Sequence, residues 1–418
     1  MDNKADETAV GFSVNEFVLS AIGQWPYQSK WKRSILRTFG NGIMIIANLS
    51  SFAALYDVRN DFDAVIERIP MCMTGVFYFI NFCTLVTKTT NMGALLDKVK
   101  ENFKVIKKSS VEEEQILIKA AEEGRSVVFF YSFLLGISTL FYCLVALVPI
   151  GLDLIIPLNE TRKRNFVYDA NYLIIDKHEH YFLVFIHSTV AGVYCFANVI
   201  AFDTMLYSFI KHIYGLFEVL KHRLKNILKI NEINQTYTEK DLIKMERKTI
   251  SCLQLYAEII EFVNEVESCF ATCLTFTMGV SAMILCFQGV MIVERIDEPD
   301  FVMRFATNFL GQAIHLFYNC YSGQMLVDRS GRFLNYIYES NWYLMPKNQK
   351  KLLCMMLLRS IKVCKVTIGN FFILNNETFA NIFIILADEN SFLVLKCFNV
   401  CTRSIKNLEI FPSGRQDA

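Results

Sequence analysis

The chain has 418 residues, of which 53% are hydrophobic, 14% aromatic and only 20% charged, whereas soluble domains run at about 45–50% apolar and about 25% charged. Its 42 Lys and Arg against 41 Asp and Glu give a net charge of +1; a nucleic-acid binder, a disordered chain and a charge-laced coiled coil are thereby excluded, because each needs more charge. What remains is an all-α, multi-span membrane protein with long wet loops.

In chain order, the N-terminus MDNKADETAVGF is acidic and polar. It lacks the basic and apolar regions of a cleaved signal peptide, so residues 1–35 are expected to form a cytosolic segment. A helix needs about 20 mostly apolar residues to cross a bilayer, and seven stretches qualify: Leu36–Tyr56, Ile69–Thr87, Ser126–Ile150, His180–Ile210, Ser268–Val293, Phe301–Val327 and Val366–Phe398. Spans one to six thus occupy residues 36–327. The wet loops at 88–125 and 211–267 are long, and the second carries Leu216, Leu220, Leu224, Ile227 and Leu228 at helical spacing. Helices four and five should therefore run on past the bilayer.

Positive charge prefers the cytosolic side. The N-terminal segment and the loops after spans two, four and six hold 29 Lys and Arg, against 12 on the opposite side. This orients the N-terminus inwards and the C-terminus outwards, the reverse of a G-protein-coupled receptor. The sequon at Asn159 then falls outside, as a candidate glycosylation site. The 13 Cys include no CxxC and no zinc spacing, and read as small core hydrophobes. His178-Glu179-His180 reads as an interfacial helix start. No nucleophile–base pair, metal set or phosphate loop appears, so neither an enzyme nor a cofactor is expected.

The last span is the most informative. Residues 328–375 form a cytosolic region whose helix should end near Leu374, at the Asn375-Asn376-Glu377-Thr378 break. A crossing helix should occupy 376–400, followed by a tail at 401–418. Glu377, Asn381 and Asp388 share one face of that helix. Intramembrane acids usually face a wet cavity, so this stripe suits a pore wall.

Tyr338-Glu339-Ser340-Asn341-Trp342-Tyr343, the Lys- and Leu-rich helix with Arg359-Ser360, Gly369, Phe379 and Ser391-Phe392-Leu393-Val394-Leu395 resemble the C-terminal signature of insect odorant receptors. The inverted topology and the Asp203-Thr204 pair late in span four agree. The motifs resemble tuning receptors of ants, bees or wasps; the loop between spans four and five is too short for the shared Orco co-receptor. The resemblance implies a ligand-gated, non-selective cation channel in the plasma membrane of olfactory neuron dendrites. It would be a heterotetramer with Orco that needs no G protein and binds no nucleic acid. Cytosolic helices would form the anchoring interface. Span seven would line the pore, with a hydrophobic gate at Val394 and Phe398 and with Asp388 and Ser391 nearby; Ser391 replaces the family's usual aromatic. The ligand, a small hydrophobic volatile or cuticular odorant, would sit in the outer half among Phe77, Tyr78, Asn81 and Phe82 on span two. Phe133, Gly136, Ile137 and Leu140 on span three, and His187, Val190 and Tyr194 on span four, would complete the pocket. A gustatory receptor would share the topology. A secondary transporter would show inverted repeats, and none is visible in the sequence.

Overall fold

The computed structural model describes residues 11–155, 162, 164–173, 175–177, 179–227, 238–369 and 372–387. The sequon at Asn159 and the pore residues Asp388, Ser391, Val394 and Phe398 lie outside them. Among the described residues the chain is helical almost throughout. The helices are α1 (Ser13–Ala21), α2 (Lys30–Asp57), α3 (Phe62–Thr87), α4 (Thr89–Ser109), α5 (Val111–Val145) and α6 (Val148–Ile155), then α7 (Tyr181–Lys225), α8 (Glu239–Glu294), α9 (Pro299–Tyr338), α10 (Lys347–Ser360) and α11 (Asn376–Ala387).

Local chemistry starts these helices where the sequence places capping residues. The Asp61 carboxylate accepts the backbone N–H groups of Asp63 and Ala64 at the head of α3. Ser110 caps α5, whose first turn carries Glu112, Glu113 and Glu114 against the positive end of the dipole. Thr238 and Asp241 form a reciprocal capping box at the start of α8.

Five of the described helices, α2, α3, α5, α7 and α8, are long and apolar enough to cross a membrane. The sixth expected span is the long helix α9, which carries Gln312, His315 and Asn319 buried within it. The seventh begins as α11. Helix α7 has 45 residues and α8 has 56, about 68 and 84 Å at a rise of 1.5 Å per residue. A hydrocarbon core is only about 30 Å thick, so both project well beyond it.

Contacts sort the two ends of the bundle. At one end Asn171 bonds Ser50 and Asp57, Tyr181 bonds the Ala146 carbonyl, and Arg295 pairs with Glu67. At the other, α4 lies along α8 through Lys98 and Glu265, and Arg223 forks onto Glu113 at 2.7 and 3.0 Å. Helix α1 docks there too, with Phe12 against Phe209 and Asn15 accepting from the Ser208 hydroxyl. The core centres on α7, where every residue from Asn198 to Ile213 is buried. That explains why its sequence there, NVIAFDTMLYSFIKHI, shows no polar face.

One expectation fails. The helix thought to run to Leu374 stops at Ser360, and Thr367–Ile368 pairs antiparallel with Phe372–Ile373. The intervening sequence is rich in β-branched residues, which favour extended backbone. Gly369 adopts a left-handed φ of +60° and donates its N–H to the Thr275 hydroxyl. The hairpin is held by α8 and α9: Glu267 accepts from Thr367, and Ser330 exchanges bonds with Cys364. Gly323 on α9 makes room for it, since a Cβ there would lie 2.0 Å from the Leu374 carbonyl oxygen. The restart at Asn376 agrees with the capping residues, because the Asn375 side chain accepts the Thr378 N–H at 2.8 Å.

Candidate ligand cavity

A small cavity of about 50 Å³ lies inside the helix bundle. Helix α2 contributes Met44, Ala47, Asn48 and Ser51, and α3 contributes Met71, Thr74 and Gly75. Thr139, Tyr142 and Cys143 come from α5, and Asn308 comes from α9. The wall on α7 is Ser188, Ala191, Gly192, Cys195 and Phe196, and Val167 and Tyr168 close it from the loop before α7. Ser188 and Cys195 stand seven and fourteen residues into α7, about 10 and 21 Å from its start. The cavity therefore occupies the half of the bundle nearest the 146–180 loop. The space exists because the facing side chains are small. Gly75 also lets α2 approach α3, since a Cβ there would meet the Asn48 side-chain oxygen at 1.4 Å.

None of the eleven pocket residues named from the sequence lines this cavity. Tyr78 belongs to the hydrophobic cluster around it, and Phe82 and Tyr194 pack against that cluster. Tyr78 donates to Asn41 at 2.8 Å. Phe77 meets the His315 ring edge-on, and Asn81 accepts from the Cys273 thiol. His187 is half-buried and bonds the Tyr172 hydroxyl at 2.8 Å. Phe133, Gly136, Ile137, Leu140 and Val190 are exposed on the outside of the bundle. Their spacing does mark one helix face, but in a bilayer the lipid face is as apolar as the core. The signal that marks this cavity is small residues at helical spacing, Ser188, Ala191, Gly192 and Cys195.

Two turns deeper, α5, α7 and α9 meet through a buried polar cluster. Asp203, only 1% exposed, accepts from the Tyr131 hydroxyl on one carboxylate oxygen, which also lies 2.7 Å from His315 Nδ1. Its other oxygen accepts from Asn319 at 2.9 Å. The Tyr131 and Tyr318 rings stack beside it with centroids 3.7 Å apart. The cluster ties together three of the helices that line the cavity above it.

Long projecting helices, an interior polar lock and an apolar chamber at one end define a seven-span, helical membrane protein with an internal cavity. A family model described as 7tm odorant receptor matches residues 61–384, and the chain belongs to that family, which is one of receptors rather than enzymes. It is similar to odorant receptor 13a of Drosophila melanogaster, 24% identical over 357 residues and 80% of either chain. Odorant receptor 67b of the same organism is 23% identical over 281 residues, 66% of this chain and 64% of that one. The fold is similar to that of the insect olfactory receptor OR5 from Machilis hrabei in complex with eugenol, with a TM-score of 0.73 at 14% identity over 95% of this chain and 98% of that one. A second structure of the same receptor gives a TM-score of 0.70 at 15% identity, over 92% of this chain and 97% of that one.

Proposed function

We propose that this protein is a tuning odorant receptor: the odorant-binding subunit of a ligand-gated, non-selective cation channel formed with the Orco co-receptor. The observation that carries the reading is the small internal cavity, lined almost wholly by apolar and small side chains, a character suited to the apolar part of a small organic ligand. Each 100 Å² of apolar ligand surface buried there contributes about 2.5 kcal/mol, so affinity is set by fit and stays modest. Agonist binding shifts the channel towards the open state by its differential affinity for that state.

The remaining assignments follow the same reading. The N-terminus is cytosolic, the C-terminus and Asn159 are extracellular, and the protein resides in the dendritic plasma membrane. Helix α11 is the start of the pore helix, with Glu377 and Asn381 on its exposed face and with Asp388, Ser391, Val394 and Phe398 further along. Helix α10 and the residue that follows it leave Met355, Leu358 and Ile361 exposed, an apolar face suited to subunit contact. The odorant contacts are assigned to the cavity wall, with Tyr78, Phe82 and Tyr194 as its outer support.

The test is current recording from cells that express this chain with the co-receptor, across an odorant panel. Odorant-evoked cation current is expected with G-protein signalling blocked, and Ala191→Phe, which fills the cavity, should abolish it without loss of surface expression. Current that needs G-protein signalling, or that survives Ala191→Phe at unchanged potency, refutes the assignment.

A further inference from the structure

The apolar cavity is not sealed at its outer end. Met71, Tyr142, Tyr168 and Asn308 line both it and a second small cavity of about 40 Å³. That cavity in turn shares Glu67, Arg68, Asp169 and Arg304 with a wide outer cleft of about 840 Å³. The three spaces form one path, apolar within and charged at the mouth.

The charge at the mouth is lopsided. The cleft is lined by six cations, Arg68, Arg162, Arg164, Lys177, Arg295 and Arg304, and by three carboxylates, Glu67, Asp169 and Glu298. Arg295 and Arg304 share the single Glu67 carboxylate at 3.2 and 3.5 Å. Arg162 is held by Asp153 at 2.7 Å. Arg68 donates to the Ala54 carbonyl. A cleft with low-dielectric walls and an excess of one charge concentrates ligands of the opposite sign. At the neck between the chambers, the Tyr168 hydroxyl is buried beside the Tyr172 and Ser50 side chains. A neutral hydrocarbon ligand would use none of these groups.

We propose that the ligand is an amphiphile with a carboxylate head, its chain in the apolar cavity and its head at the neck between Arg68, Arg304 and the Tyr168 hydroxyl. This rests on the reading of the cavity as the odorant site and names the class of ligand that site takes. The orientation is fixed by the two environments. A carboxylate drawn into the apolar chamber would lose its hydration without a partner, whereas at the neck it meets guanidinium groups whose planar forks suit it. Arg304 can turn from Glu67 to the ligand, because Arg295 stays within reach of Glu67.

The test uses the full chain with the co-receptor in phosphatidylcholine nanodiscs. Displacement of a dansyl-labelled undecanoate is measured with decanoate, methyl decanoate and decanol at neutral pH. Decanoate is expected to displace the probe at a concentration about tenfold lower than the ester or the alcohol, as befits a charge-assisted bidentate contact. Arg304→Gln should remove that advantage, with Arg68→Gln as an independent second variant, and Arg304→Lys, which keeps the charge but not the fork, should retain only part of it. Equal displacement by acid and ester, or an acid advantage that survives both Gln variants, overturns the proposal. If phosphatidylserine in the disc erases the decanoate advantage, the cleft binds a lipid head group and the free-acid assignment falls. The cavity reading has its own readout: Ala191→Phe should lower probe affinity in every arm, and probe binding that ignores it sinks the cavity as the site.

Discussion

Removing the carboxylate of Asp203 should unlock the middle of the bundle. Asp203→Ala deletes the acceptor for the Tyr131 hydroxyl, for His315 Nδ1 and for the Asn319 amide, and all four residues are at most 5% exposed. Polar contacts between membrane helices average about 0.6 kcal/mol each, so three give a floor of about 2 kcal/mol. Leaving a buried polar group unsatisfied costs about 1–3 kcal/mol, so two stranded partners set a ceiling of about 5 kcal/mol. For a chain of this length the loss should lower Tm by several °C, measured as loss of the monodisperse peak of detergent-purified full-length protein on heating. His315→Ala and the double variant complete a cycle whose coupling should be about 0.5–3 kcal/mol. Phe129→Ala, at an exposed site on the same helix as Tyr131, serves as the control and should change little. If Asp203→Ala melts within about 1 °C of the wild type, the cluster does not hold α5, α7 and α9 together.

Three further outcomes follow from packing and charge. Gly323→Ala places a methyl group against the Leu374 carbonyl and should cost about 1–3 kcal/mol by displacing the hairpin ahead of α11; full ligand-evoked current at normal surface density would contradict that. Arg223→Ala strands the Glu113 carboxylate, which is 9% exposed on its side chain, and should destabilise the protein by about 2–4 kcal/mol, whereas Lys98→Ala, which breaks exposed pairs with Glu261 and Glu265, should cost under about 1 kcal/mol; equal melting shifts for the two would refute the ranking. Burial pushes the Cys364 thiol up to about 11, so at neutral pH it holds almost no reactive thiolate, while Cys354 is exposed. An impermeant maleimide applied from the cytosolic side should label the peptide with Cys354 and spare Cys364, and labelling of Cys354 from outside would invert the proposed orientation.

The particular residues show which signals could be read in advance. The restart at Asn376 fell where local hydrogen bonding places it, because a cap is satisfied within a few residues. The overrun of helices four and five was legible in the leucine periodicity beyond Ile210. The hairpin at 367–373 was not, since its strands are held by Glu267, Thr275 and Ser330 from distant helices. Nor was the outward face of α5, where Phe133, Ile137 and Leu140 have the spacing of a pocket wall and the exposure of a lipid contact.

The sequence alone determined the membrane class, the number of spans and the C-terminal resemblance to insect odorant receptors, because hydropathy, charge placement and short motifs are properties of the chain itself. Tertiary structure decided which face of each helix looks inwards, how Asp203 finds Tyr131, His315 and Asn319, and where space is left for a ligand. In a bilayer both faces are apolar, and a cavity is made by what small side chains fail to fill once helices remote in sequence have met.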